Sequence, residues 1–141
     1  MNGTMIQTLG PGSELPAWAA ALDLDTFGDA WGPLEEQELL WAREGEAFAR
    51  WRAVPAIGEA ELLRIAVAPA GRRKGGAREL LRASEAALRA AGVRVLRLEV
   101  RVSNAAARAL YEAEGWRQDG LRRAYYRNGE DAALYSKDLQ D

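Results

Sequence analysis

The sequence predicts an α/β fold: a mixed, mainly antiparallel sheet flanked by helices. Three observations carry this. Two short strands, 38–43 and 46–54, face each other across Glu44-Gly45, a hairpin turn. Over 62–91 an apolar strand, a glycine-rich basic turn and an amphipathic helix follow one another. A further strand, 95–102, comes after that helix, so it should lie parallel to 62–67 by a right-handed crossover.

The elements follow in order. Residues 5–9 read as a first strand, closed by Gly10-Pro11-Gly12. Ser13 or Glu14 starts a helix with Leu15, Trp18, Ala19 and Leu22 at helical spacing. Gly28, Gly32 and Pro33 break the chain around Phe27 and Trp31. Two aromatics in a loop either line a pocket or plug the core, and the core is the commoner place. Glu35, Glu36 and Glu38 form a small acidic cluster, of the kind usually left in solvent. The strand 46–54 alternates Ala47, Ala49, Trp51 and Ala53 against Phe48, Arg50, Arg52 and Val54. Pro55 to Gly58 turns into the strand 62–67, so three antiparallel strands lead to the basic turn.

That turn holds Arg72, Arg73 and Lys74 before Gly75 and Gly76, where a helix begins that runs to about Ala91. A helix start leaves backbone N–H groups unpaired and carries partial positive charge. Glycine lets a ligand approach that backbone, and three cations add attraction, so the turn reads as an anion site, best suited to a pyrophosphate. It is neither of the familiar phosphate loops, since G-x-x-x-x-G-K-[ST] and G-x-G-x-x-G are both missing. On the helix, Ala77, Leu80, Leu81, Ser84, Ala87, Leu88 and Ala91 share one face, while Arg78, Arg82, Glu85 and Arg89 face out, with Glu85 and Arg89 spaced for an ion pair. Gly92 supplies the stop.

In the strand 95–102, Leu96, Leu98, Val100 and Val102 point one way and Arg97, Glu99 and Arg101 the other. A parallel strand is normally apolar on both faces. The charged face is either a surface ion-pair ladder or the side that opens on a cleft. Ser103-Asn104 caps a helix ended by Gly115, with Tyr111 two turns in; a tyrosine there commonly packs in the core with its hydroxyl at the rim. Tyr125 and Tyr126 precede the Arg127-Asn128-Gly129 turn and a last strand, 132–139. Two readings of the tyrosine pair stand equally: both wall a groove, or one faces the core and the other solvent.

Composition bounds the rest. The 141 residues suit one domain, 1–141, with a real core. A net charge of −2 gives no argument for a nucleic-acid partner. No apolar run approaches the ~20 residues that span a bilayer, and the first residues do not read as a signal peptide. With neither cysteine nor histidine, disulfides, Cys/His zinc sites, thiol nucleophiles and histidine triads are excluded, and no metal is expected. Lack of cysteine permits a cytoplasmic location.

The pattern Arg72-x-x-Gly75-x-Ala77 resembles the [RQ]-x-x-G-x-[GA] signature of the GNAT acetyltransferases, whose loop cradles the pyrophosphate of coenzyme A. Gly76 departs from it, where the family has a bulky apolar residue. From Leu98 to Glu112, then Gly115-Trp116, Arg122-Arg123-x-Tyr125-Tyr126 and Glu130-Asp131-Ala132, the chain is similar to the RimI-type protein N-terminal acetyltransferases. The similarity is strong from Ile65 onward and weaker before it; residues 27–31 match only loosely. It implies the acyl-CoA N-acyltransferase (GNAT) fold, acetyl-CoA as cosubstrate, and acetylation of the N-terminal alanine of a small-subunit ribosomal protein. Residue by residue, it implies that Ile65, Ala66 and Val67 offer backbone groups to the pantetheine arm. It also implies that Arg73, Lys74, Gly75, Gly76, Ala77 and Arg78 hold the pyrophosphate, that Asn104 contacts the cofactor, that Glu99 is the base and that Tyr111 is the acid.

The chemistry is consistent with that assignment. An N-terminal amine has a pKa near 8 and must lose a proton before attacking a thioester. Without histidine, a carboxylate acting directly or through water is the economical base, and Glu99 is the suitably placed acid. A tyrosine hydroxyl can protonate or hydrogen-bond the departing thiolate, and a backbone N–H of the strand holding Val67 can meet the oxyanion. The expected reaction is direct transfer to a protein N-terminus without a covalent acyl-enzyme. Two alternatives remain: a GNAT enzyme acting on a small amine, such as a polyamine or antibiotic, and a non-catalytic CoA-binding module.

Overall fold

The structure is a computed structural model and describes residues 5–69, 72 and 75–139. Strands β1 (Ile6–Leu9), β2 (Glu38–Arg43), β3 (Ala47–Val54), β4 (Glu59–Val67), β5 (Val95–Arg101), β6 (Arg117–Arg122) and β7 (Ala132–Asp138) form one sheet. Its order is β1-β2-β3-β4-β5-β7-β6. Only β4 and β5 are parallel; the other neighbours are antiparallel. Helices α1 (Ala17–Phe27), α2 (Gly76–Ala90) and α3 (Ala105–Ala113) complete the fold. Among the described residues no helix is long and apolar enough to cross a membrane.

Strand alternation sorts the core onto two faces. One face of the sheet carries Ala49, Trp51, Leu62, Leu96 and Leu98, which pack with Leu80, Leu81 and Leu88 of α2 and with Trp116. The other carries Leu40, Ala42, Phe48 and Ala66, covered by Ala19 and Leu22 of α1. Burying one leucine is worth about 1.5–3 kcal/mol, so the α2 stripe is a large share of the fold's marginal stability. β3 is therefore buried on both sides up to Arg52, beyond what its alternation suggests.

Four expectations change. Helix α1 starts at Ala17, not at Ser13 or Glu14. Pro16 is extended, and the residue before a proline is kept out of the helical region. Gly12 and Ser13 instead exchange backbone bonds with Leu34. Glu85 is buried rather than outward-facing. It lies in the 81-84-85-88 stripe that faces the sheet, where Trp116 Nε1 and Lys137 Nζ donate to it, while Ala87 and Ala91 are exposed. Glu38 leaves the solvated acidic cluster: it accepts two bonds from the buried guanidinium of Arg50. Strand β6 has no counterpart in the sequence analysis, because Gln118, Asp119 and Gly120 have low strand propensity and β6 is an exposed edge.

Candidate active site

Where the parallel strands part, the sheet opens. β4 pairs with β5 only over Glu59 to Leu62 against Val95 to Leu98. At that point Leu63 is an extra residue: Trp51 faces Leu62 and Arg50 faces Arg64, so β4 carries a bulge. A bulge bends its strand and increases the local twist. Beyond it β4 follows β3 to Val67, while Glu99, Val100 and Arg101 of β5 pair with β7. The edge of Ile65, Ala66 and Val67 that would face β5 thus has no strand on it, which leaves room for an extended ligand arm.

After β4 the chain leads to the start of α2. Gly75 is the N-cap at φ 74°, and a Cβ built there meets nothing within 4 Å. The N–H groups of Gly76, Ala77 and Arg78 precede the first intrahelical bond, Glu79 N to Gly75 O. This open, donor-rich helix start fits a pyrophosphate. Arg72 is exposed and donates to Val67 O at 3.3 Å. Arg78 is paired with Glu114 at 2.9 Å, so it is partly neutralised beside that site. Arg73 and Lys74 lie outside the described residues. Asn104 caps α3, its Oδ1 accepting from Ala107 N, while its amide nitrogen makes no hydrogen bond to a described residue.

Glu99 lies on the charged face of β5, half-buried. It does not pair with Arg97 and Arg101, its chain neighbours. Those bind Glu59 and Glu130 respectively, while Glu99 Oε2 accepts from Arg122 Nη1 at 2.8 Å. Tyr125 and Tyr126 stand edge to face beside it, with Arg122 over the first ring and Arg101 over the second. Neither belongs to the core clusters. The Glu99 carboxylate pushes the Tyr125 phenol up, first by hydrogen bonding and then by charge.

Tyr111 is only 5% exposed, its ring set between Trp116 and Tyr135. Burial raises its phenol far above the usual range, with Tyr126 adding to the effect. The Tyr126 phenol is in turn raised by burial and by the Glu99 charge. Tyr126 therefore feels the Glu99 charge and in turn raises the Tyr111 phenol.

Phe27 and Trp31 do not plug the core. Both rings stack on the Arg64 guanidinium, at 4.4 and 3.7 Å from the ring centres. Trp31, Leu63, Arg52 and Glu35 help line a pocket of about 370 Å³ on the charged face of the sheet. Arg64, Arg50, Asp23 and Arg122 were assigned no site role in the sequence analysis. For Arg64, Arg50 and Asp23 the signal is a charge inside an apolar strand or helix, as in LLRIAV and AFARW; Arg122, in the polar stretch RQDGLR, carries no such signal.

The acetyltransferase (GNAT) family model matches residues 12–116. The chain belongs to the GNAT acetyltransferase family. It is 48% identical over 80 residues to the ribosomal protein bS18-alanine N-acetyltransferase of Escherichia coli, a match covering 57% of this chain and 53% of that protein. It is 39% identical over 106 residues to the N-alpha-acetyltransferase RimI of Mycobacterium tuberculosis, covering 71% and 65%. The chain thus spans about half the length of the first of these curated relatives. The crystal structure of the ribosomal-protein-S18-alanine N-acetyltransferase from Escherichia coli superposes with a TM-score of 0.76 at 32% identity, over 97% of this chain and 96% of that one.

Proposed function

We propose that this chain is an N-alpha-acetyltransferase that moves an acetyl group from acetyl-CoA to a protein N-terminal amine. The acceptor is the N-terminal alanine of a small-subunit ribosomal protein, acetylated in the cytoplasm. The observation that supports this best is the parting of β4 from β5, with an unpaired β4 edge on one side and Glu99 on the other. The relatives' names supply the acceptor class.

Acetyl-CoA would bring the thioester carbonyl. The β4 edge at Ile65, Ala66 and Val67 would hold the extended arm by backbone bonds, and Gly75, Gly76, Ala77 and Arg78, with Arg72, would hold the pyrophosphate. Arg73, Lys74 and Asn104 join this set by resemblance. Glu99 accepts the acceptor's ammonium proton, directly or through water, with Tyr125 and Tyr126 walling the amine in. Tyr111, protonated throughout the working range, donates to the departing sulfur. A backbone N–H of β4 meets the oxyanion.

The test is mass spectrometry of synthetic peptides incubated with acetyl-CoA, ribosomal-protein N-termini included, beside a panel of polyamines and aminoglycosides. A single acetyl on the peptide α-amine is the expected result. Transfer to small amines alone overturns the acceptor class. CoA binding without transfer to any amine overturns catalysis.

A further inference from the structure

We propose that Arg64, with Arg50 beside it, is a positioning residue that latches the segment between α1 and β2 onto the bulge of β4. Arg50 and Arg64 are register partners on β3 and β4. Like charges directly opposite one another are unfavourable unless each is neutralised. Here each has its own acid and its own half of the same segment. Arg64 Nη1 bonds Asp23 Oδ1 at 2.9 Å and Asp29 O at 3.1 Å, and Nη2 bonds Asp29 Oδ1 at 2.8 Å. Arg50 binds Glu38 and also donates to Gly32 O and Pro33 O, both at 3.1 Å. Asp23, 1% exposed, spends its second oxygen on Trp31 N at 2.8 Å. The Arg64 guanidinium also lies over both the Phe27 and the Trp31 ring.

Two carboxylates, one carbonyl and two rings are thus held by one guanidinium, a geometry that a lysine ammonium cannot reproduce. Arg64 immediately precedes Ile65 on the strand whose edge is open, and Trp31 lines the pocket on the same face. The latch therefore fixes the pocket wall relative to the open edge of β4. Its catalytic consequence rests on the proposed function: the wall at Trp31 contacts the acceptor peptide beyond its first residue, so loosening the latch weakens acceptor binding. Binding of the cofactor arm, which uses backbone of β4 held by β3, is spared.

The test uses Asp29→Ala, Arg64→Lys and Arg64→Met in the full chain. Asp29 is exposed, so its removal leaves the fold intact even if Arg64→Met, which strips buried Asp23 of its partner, does not fold. Hydrogen–deuterium exchange should quicken about tenfold over 28–37 in Arg64→Lys, and by less in Asp29→Ala, with α2 and β5 unchanged. In Arg64→Lys, KM for a peptide acceptor should rise about fivefold or more while KM for acetyl-CoA stays within about twofold. Unchanged exchange over 28–37 in Arg64→Lys overturns the latch. Quickened exchange with an unchanged acceptor KM overturns the positioning role. If the wild-type protein acetylates no peptide, the proposed function fails, and with it the acceptor consequence, while exchange alone still decides the latch.

Discussion

Arg122 on β6 reaches across β7 to Glu99 on β5, and the bond it makes to Oε2 is 2.8 Å. The two strands are not neighbours, so the contact exists only because β7 inserts between them. An acceptor ammonium approaching Glu99 must share the carboxylate with a guanidinium already there. Arg122→Gln should therefore lower the acceptor KM by up to about fivefold, the scale of an exposed ion pair, with no change in KM for acetyl-CoA. Steady-state kinetics with each substrate varied in turn checks this.

Glu99→Gln should leave CoA affinity intact and lower kcat at pH 7 by about 10² or more. Part of the loss should return above pH ~8, where the acceptor amine is already neutral. A pH series of kcat on the variant and the wild type measures it. Wild-type rates at pH 7 would make Glu99 a strand charge and nothing more.

Tyr111→Phe removes a hydroxyl that bonds to no described residue, while its ring remains packed on Trp116 and Tyr135. The melting temperature should hardly move. If the hydroxyl donates to sulfur, kcat falls at least about tenfold with KM for acetyl-CoA unchanged, since that contact strengthens only in the transition state. A folded variant with full turnover removes Tyr111 from the reaction.

Gly75→Val tests the helix start. The position is open, so the obstacle is not a clash within the chain but its φ of 74°, which a β-branched residue resists. The substitution should cost about 1–3 kcal/mol locally and turn the first N–H groups of α2 away from the anion site. Isothermal titration with CoA should show binding weakened about tenfold or more. Undiminished affinity would remove this turn from the cofactor site.

Glu114 binds Arg78 and Arg82, joining α3 to α2. The hydrogen bond from Arg82, followed by the surrounding positive charge, holds its carboxyl below the usual carboxylate range. A depressed folded-state pKa means that the unfolded chain takes up the proton first. The contribution is therefore present above about pH 4.5 and is lost as pH falls through the lower, folded value. Glu114→Gln should reduce stability at pH 6 and flatten the decline below about pH 4.5, measured by urea denaturation at each pH.

The local grammar of the fold was legible in the sequence. The Glu44-Gly45 turn marks β2, apolar alternation marks β3 and β5, helical spacing marks α2, and Gly75 and Asn104 mark helix starts, because each signal is set by residues within a turn or two. The charged face of β5 was legible too, and its three charges pair with Glu59, Arg122 and Glu130 rather than with one another. What only the tertiary structure decided is which charges meet. Glu99 takes Arg122 from a strand the sequence concealed, Glu38 takes Arg50, Glu85 takes Lys137 and Trp116, and Arg64 draws Phe27 and Trp31 out of the core. A charged side chain buried in one element must find a counterion, and that counterion comes from whichever distant element the topology places against it.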